Sequence, residues 1–298
     1  MTNLKKNLAG LALLLMVTTL LGWRPIVDTL LLATKDDQYT YIFLILPVSI
    51  ALIFLEWHSL RTIVALGLFT GIVLLALAAF TACTALVFSP FLTPDARLSI
   101  NMIALVMSWI GGFVYCFGYR ASRFVSFPLL FLFGLVPLPT VILNVVVAFL
   151  QEASAWTAHM FFSAFGVPVV QEGVILTIPK LTLKVAEECS SIRSSSMLLV
   201  TTMVLAQLLL RSPWRKALLI FLAVPLSVAK NGLRIFTIAM LGTRVDPKFL
   251  TGKLHRDGGI VFFTIALLAT FALLWILHRG EAAFELPRKA AETASTVH

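Results

Sequence analysis

The chain has 298 residues, of which 59% are hydrophobic and only 12% are charged, and its formal net charge is +9. A soluble domain carries about 25% charged residues, so this composition excludes an ordinary soluble fold and predicts a membrane protein. The 23 Lys and Arg residues are scattered in ones and twos between apolar runs. That distribution fits the flanks of membrane spans and contact with anionic lipid headgroups, so no nucleic-acid partner is predicted.

Hydrophobic runs long enough for membrane helices recur along the whole chain. A membrane helix satisfies its own backbone hydrogen bonds and needs about 20 apolar residues. We therefore predict an all-α membrane protein of about eight transmembrane helices, with one polytopic domain over 1–280 and a short cytoplasmic tail over 281–298. The predicted spans are 8–23, 39–56, 62–88, 98–119, 124–140, 190–210, 216–241 and 258–278.

Two segments depart from this pattern. Residues 141–163 carry four amide, carboxylate or imidazole side chains in a largely apolar run, which predicts a short interfacial or bundle-buried helix. Residues 164–186 mix β-branched residues with glycines and prolines, which predicts a small extracytoplasmic non-helical element before Cys189. The four side chains are Asn144, Gln151, Glu152 and His159.

The distribution of basic residues indicates an orientation. With the N-terminal lysines in the cytoplasm and one crossing per run, 11 basic residues lie inside and 9 outside, a small bias of the expected sign. This predicts a multi-pass protein of the inner membrane with both termini in the cytoplasm. Cys189, Arg234 and His255 would then meet at the extracytoplasmic face.

Cys189 opens the sixth predicted span within the polar run KVAEECSSIRSSS at 184–196. A thiol at a helix N-terminus is favoured as the thiolate, and first-turn N–H groups can hold a developing oxyanion. The alternative is a buried structural cysteine beside a glutamate cap. No Cys/His cluster with metal-ligand spacing occurs in the sequence, so neither a metal nor a cofactor is predicted.

Arg234 and His255 are the other candidates for chemistry. An arginine inside an apolar run usually faces a cavity or a partner, and the alternative for Arg234 is snorkelling to the membrane surface, as it is for nearby Lys230. His255 lies in the loop before the last span and suits general acid–base chemistry near neutral pH. The alternative for His255 is an ordinary solvated side chain.

These motifs resemble those of the exosortase/archaeosortase family. The run VAEECSSIRSS is followed by the arginine of NGLRI, 45 residues after the cysteine, and by the histidine of LHRDGG 21 residues later. The upstream segments FPLLFLFGLVPLPTVI and LQEASAWTAHMFFSAFGVPVVQEGVILTIP are also similar to that family. The resemblance covers about 125–265. The family usually has glycine after the Cys-Ser pair, where this chain has Ser191.

The resemblance implies a membrane cysteine protease or transpeptidase that cleaves C-terminal sorting signals of exported proteins through a thioester acyl-enzyme. Matching positions imply that Cys189 is the nucleophile, His255 the general base and acid, and Arg234 the transition-state stabiliser. The implied partners are membrane-anchored exported proteins, the lipid bilayer, and an amine or envelope acceptor where the acyl group is transferred. Supporting residues are expected at Ser190, Arg193 and Asn231.

Two other functions fit the same residues. A transporter or lipid-handling protein would also place Lys230 and Arg234 inside a helix bundle, with Cys189 incidental. A non-catalytic subunit of envelope polysaccharide export would need a partner protein instead of a nucleophile. A metalloprotease is disfavoured because the sequence has no HExxH motif.

Overall fold

A computed structural model describes residues 2–63, 66–179, 181–185, 192–248 and 259–295. The chain divides into two compact units, Met1–Leu143 and Asn144–His298. The α-helices are α1 (Thr2–Leu21), α2 (Trp23–Lys35), α3 (Ile42–Leu55), α4 (Trp57–Ile63), α5 (Leu68–Val87), α6 (Pro94–Phe124), α7 (Ser126–Phe131), α8 (Thr140–Ala164), α9 (Ile192–Leu209), α10 (Pro213–Arg244) and α11 (Gly259–Ser295). The strands are β1 (Val170–Glu172), β2 (Ile175–Ile178) and β3 (Leu181–Lys184).

Eight helices within the described residues are long and apolar enough to cross a membrane. This confirms the predicted all-α membrane class and the predicted number of spans. The candidate spans are Leu4–Leu21, Asp37–Leu55, Leu68–Val87, Pro94–Phe124, Thr140–Ala164, Ile192–Leu209, Pro213–Arg244 and Gly259–Glu281.

The fifth candidate span corrects one predicted boundary. The apolar run at 124–140 forms only the short helix α7 and a 3-10 turn at Leu132–Leu135, and prolines follow at 137 and 139. Helix α8 reaches span length instead. Its buried residues recur every three or four positions, so one stripe packs inward, while Asn144 and Glu152 are exposed. The buried residues are Val147, Leu150, Ser154, Ala155, Ala158 and Phe162.

Glycines allow α5 and α6 of the first unit to pack at close range. A Cβ added at Gly71 would lie 2.5 Å from the Cα of Tyr115, so a larger residue would require the backbone to move. Helix α6 is broken at Gly118, whose φ of 84° is one that glycine adopts readily. Small residues are a usual means by which membrane helices approach one another.

The proline-containing turn before α8 is held by side chains of the first unit. The hydroxyl of Tyr39 donates a hydrogen bond to the Leu138 carbonyl at 3.0 Å. The Asp95 carboxylate accepts from both the backbone N–H (2.7 Å) and the hydroxyl (2.6 Å) of Thr140, the first residue of α8. Asp95 therefore satisfies a helix-start donor that would otherwise lack an intrahelical partner.

In the second unit, the three strands form an antiparallel sheet in the order β1-β2-β3. Gly173 adopts a φ of 58° in the two-residue turn between β1 and β2, as such hairpin turns require. Leu176 of β2 is fully buried in a core that also contains Phe162 of α8 and Phe236 of α10. The non-helical element predicted before Cys189 is thus a three-stranded sheet.

Candidate functional site

The predicted site residues fall into two groups. Cys189, Ser190 and His255 lie outside the described residues. Arg193, Asn231 and Arg234 are described, with Arg193 exposed in the first turn of α9, and Asn231 buried and Arg234 half-buried on α10. The geometry of α10 and its neighbours within the second unit therefore defines the described part of the site.

Three side-chain hydrogen bonds join α9 to α10 along their antiparallel hairpin. As the residue numbers rise along α10, those of the partners on α9 fall by nearly the same amount. The two changes differ by at most two residues along the hairpin. The pairs are Lys216–Gln207 (2.8 Å), Ser227–Ser195 (2.6 Å) and Lys230–Ser194. The last two pairs connect the middle of α10 to the first turn of α9.

Lys230 is an internal residue of this hairpin. It is 5% exposed, and its Nζ donates a hydrogen bond to the Ser194 hydroxyl. This finding contradicts the alternative in which Lys230 snorkels to the membrane surface. A lysine amine is costly to bury without partners, so its position implies a specific arrangement of α9 against α10.

Asn231 and Gly232 bring α8 against the same turn of α10. The Asn231 side chain is 1% exposed, and its Nδ2 donates to the Ser154 hydroxyl at 2.9 Å. Its Oδ1 has no hydrogen-bond partner among the described residues. A Cβ added at Gly232 would lie 2.7 Å from the Cβ of Thr157, so the two helices approach closely here. Asn231, predicted as a supporting residue, thus contributes to helix packing.

An aromatic cluster fixes α10 two residues beyond Arg234. The ring of Phe236 lies 5.1 Å from Phe162 in an edge-to-face arrangement and 5.0 Å from Phe165. Aromatic rings at these separations attract one another beyond their shared buried area. Hydrogen bonds therefore hold α10 just before Arg234 in the sequence, and packed aromatic rings hold it just after.

Ser154, Ser194, Ser195 and Asn231 lie in the segments that resemble the exosortase family, but the sequence does not show how they pair. Ser227, Lys230, Asn231 and Arg234 recur at three- or four-residue spacing, so they share one face of α10. This spacing is the sequence signal for a shared polar face on α10. Their partners Ser154, Ser194 and Ser195 lie on other helices, and a single sequence does not indicate which hydroxyl meets which donor.

No group of metal-ligating side chains occurs among the described residues. A cavity of about 490 Å³ lies in the first unit between α5, α6 and α7. Its walls are mostly apolar, with Arg123 as the one charged lining residue, and the lining contains no cysteine, histidine or carboxylate.

The sequence from residue 33 to residue 272 matches the family description transmembrane exosortase (Exosortase_EpsH). Comparison with curated proteins and with solved structures finds no match. The matched stretch covers most of the chain and includes the sheet, the α9–α10 hairpin and the positions of Cys189 and His255. It supports a protease-like or transpeptidase-like role in the membrane. We conclude that this multi-pass membrane protein belongs to the transmembrane exosortase family.

Proposed function

We propose that the protein is a cysteine-dependent protease or transpeptidase that cleaves C-terminal sorting signals of exported proteins. The reaction takes place at the extracytoplasmic face of the inner membrane, with both termini of the enzyme in the cytoplasm. Cys189 is the nucleophile, His255 transfers protons and Arg234 stabilises the tetrahedral intermediate. Family membership supports the peptidase or transpeptidase class.

The register of the α9–α10 hairpin carries the proposal. Arg234 lies 18, 7 and 4 residues beyond the α10 members of the three hydrogen-bonded pairs. Counting the same numbers of residues back from the three α9 partners gives positions 189, 188 and 190. Paired antiparallel helices advance equally per residue. Extending this register beyond the start of α9 at Ile192 would bring Arg234 opposite a residue within one position of Cys189, and this supports the proposed pairing.

The chemistry follows from this pairing. His255 accepts the thiol proton, and the Cys189 sulfur forms a bond to the scissile carbonyl carbon. The negative charge that develops on the carbonyl oxygen is met by the permanently charged guanidinium of Arg234. His255 then gives its proton to the leaving amine as the C–N bond breaks, which leaves a thioester on Cys189.

The thioester is resolved by a second nucleophile. Water releases a shortened protein with a free carboxylate, and an amine acceptor releases a protein joined through a new amide bond. In both cases the Cys189–acyl bond breaks and the thiol is regenerated. The substrate is tethered by its own C-terminal membrane segment, so it reaches the enzyme along the bilayer.

Single substitutions test this assignment. Cys189→Ala, Arg234→Ala and His255→Ala are each expected to lower processing of a membrane-anchored substrate by about a hundredfold or more. Cys83→Ala is the matched control, because Cys83 is an exposed free cysteine on α5 and processing should be unchanged. Protein levels and thermal melting of all variants show whether they fold. Normal processing by the Cys189→Ala protein would refute the mechanism.

A further inference from the structure

β3 is an edge strand that leads into the proposed nucleophile. The sheet order is β1-β2-β3, so one side of β3 pairs with β2 and the other side pairs with no strand of the described chain. Lys184, the last residue of β3, precedes Cys189 by five residues. Five residues of extended chain span at most about 18 Å.

The hydrogen-bond pattern shows which backbone groups β3 presents at its free edge. The Val185 N–H donates to the Val174 carbonyl at 2.9 Å, one residue beyond the β2–β3 ladder. Backbone groups in an antiparallel pair alternate between facing the partner and facing away. Thr182 and Lys184 therefore direct their N–H and C=O groups away from β2, and both side chains are exposed.

The opposite edge of the sheet presents fewer groups. In β1, Val170 is paired with Thr177 and Glu172 with Ile175, and the same alternation turns these residues toward β2. Only Gln171 within β1 directs its backbone outward. The β3 edge is thus the longer of the two, and it is the one continuous with the segment that contains Cys189.

We propose that the extended peptide next to the substrate's scissile bond pairs with β3 as an added fourth strand. This inference rests on the proposed function, since it takes a peptide as the substrate. Thr182 and Lys184 would hold the peptide by main-chain hydrogen bonds, which give affinity independently of sequence. A peptide paired at Lys184 lies within about 18 Å of Cys189, because only five residues of chain separate the two positions.

The core of the second unit ties this edge to the rest of the site. The buried face of β2 packs in the same cluster as Phe236, two residues after Arg234 on α10. The Val185 carbonyl accepts a hydrogen bond from the Gln151 side chain of α8 at 3.4 Å. The strand that receives the peptide and the helix that carries Arg234 are therefore positioned by one packed core.

Proline substitution removes an outward N–H without removing a bond to β2, and edge strands accept proline at such positions. Thr182→Pro and Lys184→Pro are each expected to lower kcat/KM for a tethered substrate roughly five- to tenfold, through one lost hydrogen bond. Gln171→Pro is the matched control, because it removes an outward N–H at the opposite edge, and its kcat/KM should be unchanged.

Alkylation of Cys189 by a small thiol reagent separates this inference from the proposed function. Its rate should be the same in wild-type protein and in both β3 proline variants, because the nucleophile is untouched. Wild-type processing by Thr182→Pro and Lys184→Pro, or an equal loss in Gln171→Pro, would overturn strand pairing. Processing by the Cys189→Ala protein would instead overturn the proposed mechanism.

A second measurement uses the unmodified enzyme and so does not depend on the folding of any variant. Synthetic substrates are N-methylated at one backbone position at a time, and their kcat/KM values are compared. Strand pairing predicts losses at alternate positions, because every second N–H of an added strand faces β3. Binding of the same peptides to the Cys189→Ala protein should show the same alternation. A profile without alternation would overturn the inference.

Discussion

The Nζ of Lys230 donates a hydrogen bond to the hydroxyl of Ser194, and this bond joins the middle of α10 to the first turn of α9. Lys230 lies one helical turn before Arg234, and Ser194 lies five residues after Cys189. The contact therefore connects α10, which carries Arg234, to the first turn of α9, which begins three residues after Cys189. We therefore predict that Lys230 positions the first turn of α9. The sequence alone also allows its side chain to extend to the membrane surface.

Replacing this lysine should damage activity more than folding. Lys230→Met keeps the length of the side chain and removes a buried amine, so we expect the melting temperature to stay within a few degrees of wild type. Processing should fall about tenfold or more in kcat, with a smaller change in KM, because the first turn of α9 loses its anchor. Lys216→Met is the matched control, since Lys216 makes the equivalent contact to Gln207 at the other end of the hairpin. Equal activity of the two variants would contradict the positioning role.

The register of the hairpin predicts a specific cross-link. In a background lacking Cys83 and Cys116, Arg234→Cys should form a disulfide with Cys189 under mild oxidation, because bridged Cα atoms must lie within about 7 Å. Met240→Cys, about 9 Å further along α10, should not form one. Non-reducing peptide mapping by mass spectrometry distinguishes the two. Cross-linking through position 240 but not 234 would show that the register does not continue to Cys189.

Gly232 should tolerate no side chain. A Cβ there would lie 2.7 Å from Thr157 on α8, so Gly232→Ala must push two helices apart and should cost about 1–3 kcal/mol of folding free energy. Gly259→Ala is the control, because no atom of the described residues lies within 4 Å of its added Cβ. Thermal or denaturant unfolding in detergent measures both. Similar stabilities for the two variants would mean that α8 and α10 are not closely packed at this turn.

Asn231 and Ser154 should be energetically coupled. The buried Nδ2 of Asn231 donates to the Ser154 hydroxyl, and hydrogen bonds between membrane helices are worth about 0.6 kcal/mol on average. A double-mutant cycle with Asn231→Ala and Ser154→Ala is therefore expected to give a coupling of about 0.5–1.5 kcal/mol. Purely additive effects on unfolding would show that this bond does not join the helices.

Hydropathy predicts the number of spans correctly, because membrane helices must be long and apolar whatever they pack against. It does not separate the run at 124–140 from α8, since both are apolar. The prolines at 128, 137 and 139 are the sequence signal for a broken run. In α8, the buried Ser154 hydroxyl accepts a hydrogen bond from Asn231 of α10, a contact inside the second unit that hydropathy does not predict.

The small sheet is predicted from its breakers and β-branched residues, but its pairing is not. Which strand lies at the edge depends on the order β1-β2-β3, which short hairpin connections set. Packing of Leu176 in the core with Phe162 and Phe236 determines which face of the sheet turns inward. The partner of Lys230 is not predicted either. The sequence of an apolar helix with one lysine is the same whether that lysine faces lipid headgroups or a serine. The partners are set by packing between segments distant in sequence.

The most direct test of the central claim is the detection of the acyl-enzyme. A purified preparation is mixed with a membrane-anchored substrate, quenched in acid, and mapped by mass spectrometry with and without hydroxylamine, which cleaves thioesters. We expect a hydroxylamine-sensitive adduct of the substrate's N-terminal fragment on Cys189. The adduct should be retained in Cys83→Ala and strongly reduced in Arg234→Ala. Substrate cleavage with no adduct on Cys189, or with the adduct on another residue, would contradict the central claim.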